Sequence, residues 1–110
     1  TGGLKNIYVN SSIPGELYIG EYHWYKFTAP STGTYSFYTE NSFDTTGELF
    51  SSVVPARSTT GLLAQDDDGG FGLNFKITYT LTAGQTVYLR VRGYNWTRYG
   101  SYSVRVAKES

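Results

Sequence analysis

The feature that most constrains this chain is a two-residue alternation of apolar and polar side chains. In Thr34–Thr39, Tyr35, Phe37 and Thr39 fall on one side, with Thr34, Ser36 and Tyr38 on the other. Asn74–Leu81 sets Phe75, Ile77, Tyr79 and Leu81 against Asn74, Lys76, Thr78 and Thr80. Thr86–Arg92 sets Val87, Leu89 and Val91 against Thr86, Tyr88, Arg90 and Arg92. Ser101–Arg105 sets Tyr102 and Val104 against Ser101, Ser103 and Arg105. Successive side chains point to opposite faces of a strand, so these are strands with one buried and one solvated face. Further strands are predicted at Asn6–Val9, Leu17–Gly20, Tyr22–Thr28 and Gly47–Ser51. Turn residues at Ile13-Pro14-Gly15, Ala29–Gly33, Thr82-Ala83-Gly84 and Tyr99-Gly100 separate them. Ser52–Thr60 is weakly patterned and reads as a loop. No segment holds a 3.6-residue period. Roughly eight strands at this spacing predict an all-β fold, an antiparallel β-sandwich of jelly-roll type. It takes up residues 1–110 as a single module.

Parity divides the side chains. Tyr25, Phe27, Tyr35, Phe37, Phe75, Ile77, Tyr79, Val87, Leu89, Val91, Tyr102 and Val104 point inward and form the expected core. Tyr22, Trp24, Tyr38, Tyr88, Arg90 and Arg92 point outward. Outward aromatics either lie beneath a neighbouring loop or serve as a platform for a ligand. Tyr88, Arg90 and Arg92 recur every second residue, so they adjoin on one strand face. The connection carrying Tyr94, Trp96, Arg98 and Tyr99 lies between two strands, where a sandwich exposes a hairpin tip.

Charge and composition exclude several functions. Nine basic residues balance nine acidic ones, so the chain lacks the basic excess that non-specific nucleic-acid or anionic-membrane binding needs. No apolar run approaches the ~20 residues of a membrane span. Without cysteine there is no disulfide, thiolate or Cys-based zinc site. The chain opens Thr1-Gly2-Gly3 with no signal-peptide pattern, which reads as a mature protein or an excised module. Richness in Tyr, Thr, Ser and Gly with only 16% charged residues accords with secreted bacterial β-modules.

Asp66-Asp67-Asp68-Gly69-Gly70 concentrates three of the four aspartates. Adjacent carboxylates repel, so the fold must supply hydrogen bonds, water or a cation. One reading is a calcium site built from Asp66, Asp67 and Asp68, with Asp44 and Asn74 contributing across the sandwich. The other is an Asx-turn, with aspartates accepting from nearby N–H groups and glycines permitting positive φ. An EF-hand is excluded, because the twelfth position from Asp66 is Ile77 rather than a bidentate Glu.

Catalytic residues are not assigned. The single histidine, His23, shares the inward parity of Tyr25 and Phe27 and reads as a hydrogen-bonded core residue. Asp44 and Glu48 could in principle form a glycosidase pair, but nothing in the sequence couples them.

An ordered series of segments resembles a known family. It comprises Tyr25–Pro30, Gly33–Phe37, Asp44-Thr45, Leu49-Phe50, Leu63-Ala64, Asp66–Gly70, Asn74-Phe75, Leu81–Gly84, Tyr88 and Gly100-Ser101-Tyr102. The series, covering about Tyr22 to Val106, is similar to the bacterial pre-peptidase C-terminal domain family. The resemblance implies a non-catalytic β-sandwich attached to a secreted hydrolase, especially a peptidase. It also implies relatives that bind collagen and calcium.

The function expected is therefore a substrate-targeting module tethered to a catalytic domain of the same polypeptide. It would bind an extended polymer through Trp24, Tyr38, Tyr88, Arg90, Arg92, Tyr94, Trp96 and Tyr99. Polysaccharide is favoured narrowly over collagen or another fibrous protein, because Tyr and Trp rings stack on sugar faces. The alternative is a maturation or stability domain without a ligand.

Overall fold

Alternation turns into two facing sheets. The computed structural model describes residues 4–40, 43–55, 57–67 and 74–109. Among them are β1 (Lys5–Asn6), β2 (Ser12–Leu17), β3 (Tyr22–Thr28), β4 (Gly33–Glu40), β5 (Thr45–Phe50), β6 (Leu62–Asp66), β7 (Lys76–Leu81), β8 (Thr86–Gly93) and β9 (Gly100–Lys108). A single turn of 3₁₀ helix, η1 (Tyr94–Trp96), links β8 to β9. The first sheet has the order β1-β3-β8-β5-β6 and the second β2-β9-β4-β7. Every pairing is antiparallel except β1 with β3. The expected β-sandwich is the fold. No helix among the described residues is long and apolar enough to cross a membrane.

The inward set forms the core between the sheets. Tyr25, Phe27, Leu49, Val87, Leu89 and Val91 come from the first sheet; Tyr35, Phe37, Ile77, Leu81, Tyr102, Val104 and Val106 come from the second. All are buried, each contributing on the order of 1.5–3 kcal/mol through removal of apolar surface from water. Phe27 stands edge-on to Tyr35 and Phe37, with centroids 5.2 and 5.5 Å away, and so joins the layers. Tyr79 shares the inward parity but is only half-buried.

Three expectations need correction. The strand predicted over Leu17–Gly20 lies earlier, as β2, and Tyr18–Glu21 is a turn closed by Glu21 N–H donating to Tyr18 C=O at 3.0 Å. The predicted turn at Ile13-Pro14-Gly15 is inside β2. Pro14 is tolerated there because β2 is an edge strand. Gly15 is required, since a Cβ would lie 2.5 Å from the Tyr102 ring. The strand predicted over Asn6–Val9 shortens to β1, because Tyr8–Ser11 turns, with Ser11 Oγ donating to Tyr8 C=O at 2.7 Å. The structure also adds β6, a strand the alternation did not predict.

Candidate functional site

Cross-strand register arranges the outer face of the first sheet in rows. Trp24, Arg90 and Glu48 form one row across β3, β8 and β5; Tyr22, Arg92 and Thr46 form the next. Arg90 Nε donates to Glu48 Oε1 at 2.8 Å, and Arg92 Nε donates to the same oxygen at 3.0 Å. Glu48 and Arg90 are buried, at 2% and 0% exposure. The chain between β5 and β6 returns over this row. Its base closes through Ser51 N–H to Gly61 C=O at 3.1 Å, Arg90 Nη1 donates to Ser58 C=O at 3.0 Å, and Val54 packs on Trp24 and Phe50.

That loop decides between the two readings of the outward aromatics. Trp24 is 6% exposed, against Phe50 at 5.3 Å between centroids. Trp24 and Arg90 thus present no surface to a ligand, and Tyr88 is half-buried beside them. Tyr38 lies on the outer face of the other sheet, in register with Lys76 and Arg105. The eight expected contact residues therefore do not form one surface.

Arg92, Tyr94 and Trp96 do meet, with residues from β5 and β6, around a cleft of about 460 Å³. Thr46 from β5 and Arg92 from β8 come from neighbouring strands; Gln65, Asp66 and Asp67 come from the end of β6; Tyr94, Asn95 and Trp96 come from η1. The backbone of η1 is held in a form side chains rarely take, with φ +56° at Asn95 and +63° at Trp96. Tyr94 N–H donates to Asp44 C=O at 2.9 Å, and Gly20 N–H donates to Trp96 C=O at 3.0 Å. Gly93 permits the close return, because a Cβ there would lie 2.1 Å from the Arg98 carbonyl oxygen. The Trp96 ring is faced by Arg57, Arg92 and Arg90 guanidinium carbons at 4.5, 4.6 and 5.3 Å and meets Tyr22 edge-on. Tyr99, 63% exposed, lies outside the cleft.

The electrostatics of the cleft are uneven. Arg92 is committed: besides Glu48, its Nη1 donates to Gly93 C=O at 3.1 Å. Asp66 Oδ2 accepts from Lys76 N–H at 2.9 Å, a bond that ties the end of β6 to the start of β7 and is not a local Asx-turn. Asp67 is half-buried and makes no ion pair or hydrogen bond with any described residue. Burial pushes the Asp44 carboxyl above the usual carboxylate range; Arg98, 4.0 Å away, offsets this and the negative charge of Asp67 adds to it. Thr46, 5% exposed, has a buried Oγ1 without a hydrogen-bond partner among the described residues.

The calcium expectation names Asp44, Asp66, Asp67, Asp68 and Asn74. Asp68 lies outside the described residues, and Asn74 is buried at 8% exposure. Among the described residues no three acidic or histidine side chains gather to hold a metal ion. Those present do not make a calcium ligand set by themselves.

His23 is half-buried. Its Nδ1 lies 2.6 Å from Tyr102 Oη, which is 2.5 Å from Tyr25 Oη. Burial pushes both phenols up and the imidazole down, so all three groups are neutral near pH 7. Glu48, the other half of the conceivable glycosidase pair, is sealed against two arginines. Sequence reasoning missed Thr46, Gln65 and Arg57. Thr46 had a legible signal, since it shares the parity of Glu48 on a strand facing Arg92.

The sandwich with loops gathered at one end is shared with proteins of distant sequence. The pre-peptidase C-terminal domain of a collagenase from Bacillus anthracis superimposes with a TM-score of 0.70 at 20% identity, covering 96% of each chain. PliG of Aeromonas hydrophila, a periplasmic inhibitor of g-type lysozyme, gives 0.65 at 13% identity, covering 96% of this chain and 97% of that one. No protein-family model matches the sequence, and no curated protein matches it. The fold is thus that of a collagenase pre-peptidase C-terminal domain, in agreement with the resemblance carried by the ordered segments.

Proposed function

We propose that this chain is a non-catalytic accessory module of a secreted bacterial hydrolase and that it holds an extended protein polymer at the β6–η1 cleft. The observation that carries the reading is the cleft itself, where Asp67, without a partner among the described residues, lines the same space as Tyr94 and Trp96. The fold shared with a collagenase accessory domain supports the tether to a peptidase. The sealed Trp24 and the guanidinium-covered Trp96 take both indoles away from the sugar-stacking surface expected of them, which moves the preference from polysaccharide to protein. The mechanism is effective concentration: weak binding by the module raises substrate around the catalytic domain joined to it.

Sedimentation with insoluble polymers tests this. The isolated domain is incubated with fibrillar collagen, gelatin beads and immobilised casein, and in parallel with cellulose, xylan and mannan, with and without EDTA. Retention on a protein polymer, unchanged by chelation, is the expected result. Retention on the polysaccharides alone restores the sugar reading. No retention anywhere leaves a maturation or stability domain.

A further inference from the structure

Resting on that reading of the cleft, we propose that its occupant is a basic side chain, the ammonium of a lysine or the guanidinium of an arginine, projecting from the bound protein chain. Asp67 and the buried Thr46 Oγ1 would receive its N–H groups, and Tyr94 would cover its aliphatic stem.

Two independent observations point to a missing partner. Asp67 lines the cleft half-buried, without an ion pair among the described residues, beside a second carboxylate at Asp44 whose charge it disfavours. A carboxylate held that way is stabilised by an incoming cation and penalised by an incoming anion. Separately, Thr46, which lines the same cleft, carries a buried Oγ1 with no partner among the described residues. Such an atom has lost its water and is destabilising until a hydrogen-bonding partner satisfies it.

Other ligand chemistries fit less well. An anion would meet the carboxylates of Asp66 and Asp67 in the same lining, while Arg92 there is already bound to Glu48 and Gly93 and Arg57 lies on the Trp96 ring. A bare divalent cation is less well served, since no three acidic or histidine side chains gather among the described residues. Arg92 shares the buried Glu48 carboxylate with Arg90, which offsets its charge in part.

Gelatin is the test polymer, used native, lysine-acetylated, or arginine-blocked with cyclohexanedione. Blocking one or both residue types should weaken binding roughly 10-fold or more, the loss of one charge-assisted contact. The arm that weakens it identifies the side chain. Asp67→Asn and Thr46→Val should abolish that discrimination while far-ultraviolet circular dichroism stays unchanged. Because Thr46→Val could perturb β5, short synthetic peptides carrying Lys, Arg or norleucine at one position provide a second measure on the unaltered protein. Equal affinity for native and doubly blocked gelatin, with binding intact, overturns this inference and spares the accessory-module reading. Binding to no protein polymer removes both.

Discussion

Glu48→Ala offers the most direct physical test, because the carboxylate offsets a guanidinium that cannot reach water. Arg90 is 0% exposed and Glu48 2%, and their 2.8 Å contact is the shorter of the two arginine bonds to Oε1. Arg92, with 13% of its side chain exposed, can rehydrate when the carboxylate goes; Arg90 cannot. Removing one partner of such a buried pair costs about 3–5 kcal/mol. At about 4 °C per kcal/mol for a domain of this size, Tm should fall by roughly 12–20 °C. Urea unfolding followed by circular dichroism gives the free energy, and tryptophan fluorescence reports the loop over Trp24, which Arg90 secures through Ser58. Glu48→Leu should be no better than Ala, since the guanidinium charge remains. The double variant Glu48→Leu with Arg90→Met should recover much of the loss, because a buried ion pair is often replaceable by apolar groups of similar size. A loss below about 1 kcal/mol, the scale of a solvated surface pair, would refute the reasoning, and so would a double variant as unstable as Glu48→Ala.

Other outcomes follow from single residues. At Gly47 a Cβ would lie 2.3 Å from the buried Phe75 ring, so Gly47→Ala should cost about 1–3 kcal/mol by overpacking, and an unchanged Tm would show that Phe75 can move aside. Asn95→Val should lower stability by roughly 1–2 kcal/mol, because a β-branched residue must take up φ +56°, while Asn95→Gly should be nearly neutral; equal effects would locate the strain elsewhere. Burial lowers the His23 imidazole below its ordinary value, with Glu21 opposing. The unfolded chain then binds a proton that the folded one gives up. Stability is therefore full above about pH 6.5 and declines as pH falls below it toward the lowered value. His23→Gln, which retains a partner for Tyr102, should flatten that decline; parallel stability profiles for both proteins would remove His23 as its source.

What the sequence revealed was what strand parity controls locally. Alternation in β4, β7, β8 and β9 assigns their inward residues because a strand with one wet face writes its burial into every second position. β6 carries no such pattern: Leu62, Leu63 and Ala64 are all half-buried, and its strand geometry comes from pairing with β5. Pro14 and Gly15 misled for a related reason, since an edge strand tolerates a missing donor. Parity also put Trp24, Arg90 and Arg92 on one face, but it could not say what lies above that face. The cover depends on Ser58, thirty-two residues from the arginine that holds it.

The same contacts explain why the cleft was only half legible. Thr46 on β5, Asp67 just after β6 and Tyr94 just after β8 are brought together only by the β6-β5-β8 order. Within that site Arg92 serves the scaffold first, because its bonds to Glu48 help seal the outer face. A loss of binding on changing Arg92 would therefore mix lost stability with lost recognition. Asp67 separates the two: it supports no described hydrogen bond or ion pair, so Asp67→Asn should leave the fold intact and alter the ligand's charge preference alone.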